Sequence, residues 1–348
     1  MGDFLNDDIV CNILARLPAK PLLRFRCVSK HWNRMLREPS FMKLRSRKTI
    51  FLPLDKTLHL IDEDNADPVV TRPIPTQRRG LHRPRVIGTF NDIVVLITLY
   101  DIILYNPFTR VSKKLPRTTV NPIPNLNCLF GFGYAHGDEH DLKVVRIQNL
   151  SKTCEVYNFK QGSWSNINIK YDIYFSGYFE HEVGTYTNGF FYWIECCRKV
   201  LIVLNVKDML LSEMNLPLSF EQPRLLGTVG GCLCALLGCS MWVMKEHNQW
   251  SKVYSFEVPN SFSYNPLCIL DTGRILMMIR SPSMNYLVIY DPTKKSRNIL
   301  NISVQNDNFR NVHVLEYVES LVSPLYIMSH ARRSRRKEDK IFKKECSL

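Results

Sequence analysis

The 348-residue chain has no cysteine framework: its eleven cysteines are odd in number, Cys196 and Cys197 are adjacent, and no two are spaced C-x-x-C. That pattern excludes a disulfide scaffold and leads us to expect reduced thiols in the cytoplasm and/or nucleus. No charged n-region followed by an apolar h-region starts the chain, so no secretory signal is expected. Asn6 stands where myristoylation needs Ser or Thr, and Cys346, third from the end, forms no prenylation box. A G-x-S-x-G elbow is absent. "GFGYAHG" (131–137) lacks G-x-G-x-x-G spacing and a following helix, so its glycines read as strand packing. His136 and His140 lie four apart in a β context, where helical metal-ligand spacing has no force. Asp62, Glu63, Asp64 and Asp67 lack the Ca²⁺-loop pattern and read as a solvated turn. A Cys–His nucleophile stays open, because such partners meet only in the fold. We therefore nominate no catalytic, cofactor-binding or metal-binding residue and expect no cofactor.

Charge is also scarce where most of the chain lies. The net charge is +14, but residues 1–50 carry +7 and residues 331–348 carry +5, leaving +2 for the 280 residues between. A neutral body with two basic ends argues against nucleic acid as a partner. The tail "ARRSRRKEDKIFKKECSL" reads either as a solvated end or as a nuclear import or anionic-surface signal. What the chain has in quantity is apolar side chains (45%, with 11% aromatic), enough for a sizeable core, and a length that suggests two domains. One run, "LLGTVGGCLCALLGCSMWVM" (225–244), is uncharged for twenty residues and could span a membrane. We read it instead as buried strands around a Gly230-Gly231 turn, because it falls in register with a repeat, and no membrane partner is expected. Cys232, Cys234 and Cys239 then lie on strands as small apolar residues.

Three short helices are expected before residue 40. Asn6 caps the first, with Asp7 and Asp8 in its first turn; Ile9, Ile13 and Leu17 form a stripe that Val10 and Leu14 broaden, and Pro18 stops it. Pro21 suits the first turn of a second helix bearing Leu22, Leu23, Phe25, Cys27 and Val28. Ser29 caps a third with Trp32, Met35 and Leu36, ended by Glu38-Pro39. So small a unit displays more apolar surface than its own core can absorb. The excess docks either into a partner or against the chain's second domain. The interleaved Arg24, Arg26, Lys30, Arg34 and Arg37 could suggest a helix-turn-helix, but the middle helix is too apolar to read base edges.

The stretch from Leu5 to about Lys43 resembles the F-box of plant F-box proteins. Asp8, Ile13-Leu14, Arg16-Leu17-Pro18, Lys20, Leu22-Leu23, Arg24-Phe25-Arg26, Val28-Ser29-Lys30, Trp32 and Pro39-Ser40-Phe41 stand where that motif has them; its usual Leu-Pro appears as Leu5-Asn6. The resemblance implies docking on the SKP-type adaptor of a SKP–cullin–F-box ubiquitin ligase, and through it a cullin and a RING protein. On that reading Leu5, Ile9, Ile13, Leu17, Pro18, Leu22, Leu23, Val28 and Trp32 are the candidates for the adaptor face, some of which must instead form the small internal core.

From about residue 50 short strands replace helices. "LHLIDED", "IILYNPFTR", "CEVYNFKQG", "LIVLNVKDM", "MWVMKEHNQ" and "LVIYDPTKK" each run from an apolar strand into a polar turn. Anchored on Asp62, Asn106, Asn158, Asn205, Lys245 and Asp291, they recur at intervals of 44, 52, 47, 40 and 46 residues. Several strands per period of this length indicate β-propeller blades, about six of them. "VHVLEYVESLV" (312–322) is available to close the ring against the first blade. Residues 88–325 resemble the F-box-associated, kelch-like domain of plant F-box proteins, through "LYNPFTRVSKKLP", "GFGYAHGDEHDLKVVRI", "VYNFKQGSWSNI", "NGFFYWI", "WVMKEHNQWSKVYSF" and "YVESLV" in that order.

The expected architecture is a small all-α three-helix F-box over 1–48, an all-β propeller-like repeat domain over 49–328, and a basic tail over 329–348. The resemblance implies a non-catalytic substrate receptor whose propeller binds a target protein for ubiquitination and degradation. The alternatives are a propeller-type lectin or enzyme with a helical cap, or a nucleic-acid-binding protein.

Overall fold

The computed structural model describes residues 6–17, 19–36, 38, 41, 44, 48–54, 57–62, 68–73, 85–90, 93–98, 101–117, 128–138, 141–148, 153–168, 179, 182–217, 221–256, 263–280, 285–300, 302, 312–319 and 323–324. The expected basic tail lies outside them. Within residues 7–35 run helices α1 (Asp7–Ala15), α2 (Ala19–Phe25) and α3 (Lys30–Met35). The caps fall where local chemistry demands: Asn6 Oδ1 accepts the Asp8 N–H at 3.0 Å, and Ser29 Oγ accepts the Trp32 N–H at 3.0 Å. Pro21 sits in the first turn of α2, where a missing N–H costs nothing.

The rest is a ring of six four-stranded antiparallel sheets. Blade one holds β1 (Lys48–Leu54), β2 (Thr57–Asp62) and β3 (Pro68–Pro73). Blade two is β4 (Arg85–Phe90), β5 (Ile93–Ile97), β6 (Ile102–Tyr105) and β7 (Ser112–Lys114). Blade three is β8 (Cys128–Tyr134), β9 (Leu142–Gln148), β10 (Thr153–Asn158) and β11 (Ser163–Asn168). Blade four is β12 (Thr185–Thr187), β13 (Phe190–Glu195), β14 (Val200–Asn205) and β15 (Leu211–Asn215). Blade five is β16 (Pro223–Val229), β17 (Cys232–Leu237), β18 (Ser240–Glu246) and β19 (Gln249–Ser255). Blade six is β20 (Ser263–Ile269), β21 (Ile275–Arg280), β22 (Asn285–Asp291) and β23 (Ser296–Ile299). The run 225–244 is thus three strands of blade five, and no helix among the described residues is long and apolar enough to cross a membrane.

The expected ring closure is present. β24 (Leu315–Val318) is the innermost strand of blade one, paired antiparallel with β1 from Lys48↔Val318 to Phe51↔Leu315. Thr49 Oγ1 donates to the Tyr317 carbonyl at 3.2 Å, and the Tyr317 ring packs between Phe51 and Phe108 with centroids about 6 Å apart. A charged clasp seals the seam: Lys48 Nζ lies 2.7 Å from Asp271 Oδ2, the Asp271 N–H donates to Glu316 Oε2 at 2.8 Å, and Asp271 Oδ1 accepts the Gly230 N–H at 2.7 Å.

The repeat anchors mark the end of each blade's third strand, and in four of the six blades the anchor's side chain builds the next turn. Asn106 Oδ1 accepts from the N–H groups of Phe108 and Thr109, Asn158 from Gln161, Asn205 from Lys207, and Asp291 from Thr293 and Lys294. Four residues after each of these anchors the backbone turns left-handed, at Arg110, Gly162, Met209 and Lys295. Lys245 differs: its blade turns through Asn248 instead, at φ 61°. Two of the three glycines of "GFGYAHG" pack as expected, since a Cβ at Gly131 or Gly133 would fall within 3.0 Å of the rings of Phe191 and Tyr186 in the next blade; Gly137 instead serves the turn after β8, at φ 81° with open space around it.

Candidate functional site: an apolar face on the N-terminal helices

α1 carries two adjacent apolar stripes, and the fold uses only one. Val10, Leu14 and Ala15 are buried with Leu22, Met35, Leu36 and Phe41. That cluster continues without a break into Phe51, Leu58 and Leu60 of blade one, Val94 and Leu96 of blade two, and Tyr317 of the closing strand. Part of the apolar excess therefore packs against the chain's own propeller, one of the two destinations the sequence allowed.

The other stripe remains open. Ile9 is 50% and Ile13 55% exposed, one turn apart on α1, and Val28 after α2 is 62% exposed. Leu17, Leu23 and Trp32 are half-buried, with Trp32 set edge-on against Phe25 at 5.8 Å. Leu22 is the correction to the candidate adaptor face. It is fully buried, because α2 turns it into the cluster shared with α1, so it supports the face from behind. Leu5 and Pro18 lie outside the described residues.

His31 Nε2 sits 2.9 Å from Asp7 Oδ1, tying α3 to the start of α1, and Arg26 Nε donates to Asn33 Oδ1 at 3.1 Å. Arg16, Arg24, Lys30 and Arg34 are exposed on the same helices. The arrangement suits docking rather than chemistry. Its one half-buried thiol, Cys11, is pushed above the ordinary cysteine range by burial and by Asp7, Asp8 and Glu38 nearby. Covering Ile9, Ile13 and Val28 with a partner removes half-exposed side chains from water, about 1 kcal/mol each.

Two features of the propeller escaped the sequence reading. Arg146 and Glu155, each about 1% exposed, face one another across β9 and β10 at 3.2 Å. The inner strands also repeat a Gly-Thr pair, Gly88-Thr89, Gly184-Thr185 and Gly227-Thr228, a signal visible in the sequence to anyone comparing strand centres rather than strand ends. Cys234 and Cys154 are buried, and burial pushes each thiol up to about 12, in keeping with cysteine as a small apolar residue. No group of metal-ligating side chains is found among the described residues, which do not include His140.

Both parts of the chain are similar to known proteins. Residues 77–324 match the F-box associated beta propeller domain family, and residues 4–44 match the F-box domain. The F-box protein CPR1 of Arabidopsis thaliana is 26% identical over 85% of this chain and 84% of its own length. The F-box/kelch-repeat protein At3g23880 of the same plant is 25% identical over 77% of this chain and 84% of its own. Among solved structures, virginiamycin B lyase from Staphylococcus aureus aligns over 76% of this chain and 86% of its own, at 11% identity and a TM-score of 0.44.

Proposed function

Because the chain belongs to the plant F-box proteins with an F-box-associated β-propeller domain, we propose that it is the substrate-recognition subunit of a SKP–cullin–F-box ubiquitin ligase. Its N-terminal helices hold a SKP-type adaptor, through which a cullin and a RING protein are joined, while the propeller holds a target protein. The observation that carries this reading is the unused stripe: Ile9, Ile13 and Val28 stay exposed beside a fully packed core. The subunit contributes proximity rather than a covalent step, raising the effective concentration of target lysines at the ligase. It works in a reducing compartment, the cytoplasm and/or nucleus, in keeping with ten described cysteines that are all free thiols.

Antiparallel blades sort their connections by face. Turns from first to second strand and from third to fourth share one face with Lys48, where the helices enter. Second-to-third turns and blade-to-blade connections occupy the other, and we place the target there.

The test is co-purification of the full chain with a SKP-type adaptor. Ile9→Asp/Ile13→Asp is expected to weaken capture at least about tenfold, the effect of losing roughly 1.4 kcal/mol, with an unchanged melting temperature because both positions are exposed. Failure of wild type to bind, or equal capture by the variant, overturns the reading.

A further inference from the structure

The inner strands of the six blades surround a central cavity of about 350 Å³. Thr89 on β4, Thr185 on β12 and Thr228 on β16 border it, each immediately after a glycine in the chain. All three are partly accessible, and their hydroxyls make no hydrogen bond among the described residues. Tyr192 on β13 borders the same space and is only 5% exposed, and its hydroxyl also has no hydrogen-bond partner there. Burial alone raises its pKa, with no hydrogen bond contributing. A buried hydroxyl ordinarily finds a partner, so that of Tyr192 needs explaining, and the three half-buried threonine hydroxyls open onto the same space.

We infer that the central channel is a binding site for a small uncharged molecule carrying several hydroxyl or carbonyl oxygens on an apolar frame. The volume lies at the lower end of the range for small-molecule pockets, roughly 300–1,000 Å³. Val86, Leu226 and Leu267 supply apolar wall. No lysine or arginine lines the cavity, and His313 is the one lining side chain that can become cationic, so an anion would be desolvated there without a permanent counter-charge. The one carboxylate in the wall, Glu316, is engaged by the Asp271 N–H at 2.8 Å and lies 4.0 Å from Lys48 Nζ, so a cation gains little. Hydroxyl and carbonyl oxygens match the hydroxyl donors that remain. This site does not depend on adaptor docking.

The probes are 4-hydroxybenzamide and 4-hydroxybenzyl alcohol, with 4-hydroxybenzoate as the anionic counterpart, titrated against the full chain by saturation-transfer NMR. The neutral probes are expected to bind at least about tenfold more tightly than the anion. Thr228→Phe, which fills the channel, is expected to abolish binding. Thr185→Val/Thr228→Val keeps the shape and is expected to weaken it about fivefold to tenfold through two lost hydrogen bonds, at an unchanged melting temperature. Absence of binding by both neutral probes overturns the inference. So does equal binding by the anion, or undiminished binding by the folded valine variant.

Discussion

Asn106 is fully buried, and its side-chain oxygen accepts two backbone N–H groups that the Pro107–Arg110 turn leaves without other partners. Asn106→Ala is therefore expected to cost about 2–4 kcal/mol, since one buried and one part-buried donor go unsatisfied. Asn158→Ala removes the exposed turn bond from the Gln161 N–H and the bond that Asn158 Nδ2 donates to Asp141 Oδ1 at 3.0 Å, and is expected to cost less, about 1–2 kcal/mol, because its partners remain open to water. Chemical denaturation of the two variants measures the difference. These side chains were legible in the sequence because the same physical demand, a cap on a turn, recurs in successive blades. Arg146 and Glu155 were not. Strands buried on both faces lose the alternation that would mark an inward-facing charge, and only the β9–β10 register reveals that the two residues meet.

At the scale of elements, the N-caps of α1 and α3 followed from local chemistry, but α1 ends before Leu17 and α2 before Cys27 and Val28, which were expected on them, and the division of labour between stripes did not follow either. Ile9 and Val10 are neighbours on one helix, and a 3.6-residue period cannot say which is covered by the chain's own blades. The clasp on the ring seam was equally hidden, since Lys48, Gly230, Asp271 and Glu316 are brought together only by closure. Its pH response follows from Asp271, whose carboxyl is held below the ordinary aspartate range by the Lys48 hydrogen bond, with the Gly230 N–H adding to it. A depressed folded pKa contributes stability above the unfolded value and loses it as pH falls through the folded one. Between about pH 6 and about pH 3, the melting temperature of wild type is expected to fall more steeply than that of Asp271→Asn. Parallel curves would show that the clasp contributes nothing.

Across the whole molecule, helices and ring share one buried cluster that runs from Leu14 to Tyr317. Heat is therefore expected to unfold both parts in a single transition, with helical and aromatic circular dichroism signals coinciding. Tyr317→Ala is expected to lower the stability of that single unit by about 3–5 kcal/mol, because a fully buried ring between Phe51 and Phe108 leaves a cavity. Two separate transitions, with the helices unaffected by Tyr317→Ala, would show the parts to be independent. The number of blades could be read from the period of the sequence, whereas this coupling could not, because it depends on which side of the ring the helices approach.

The seam between β1 and β24 also sets an order of events during synthesis. Thr49 and Tyr317 are 268 residues apart, an interval that a ribosome covers in about 13–54 s at roughly 5–20 residues per second. Throughout that time the first blade waits with an unpaired inner edge, and the N-terminal helices emerge long before the ring can close. A nascent chain thus presents the exposed Ile9 and Ile13 stripe well before its propeller can be complete.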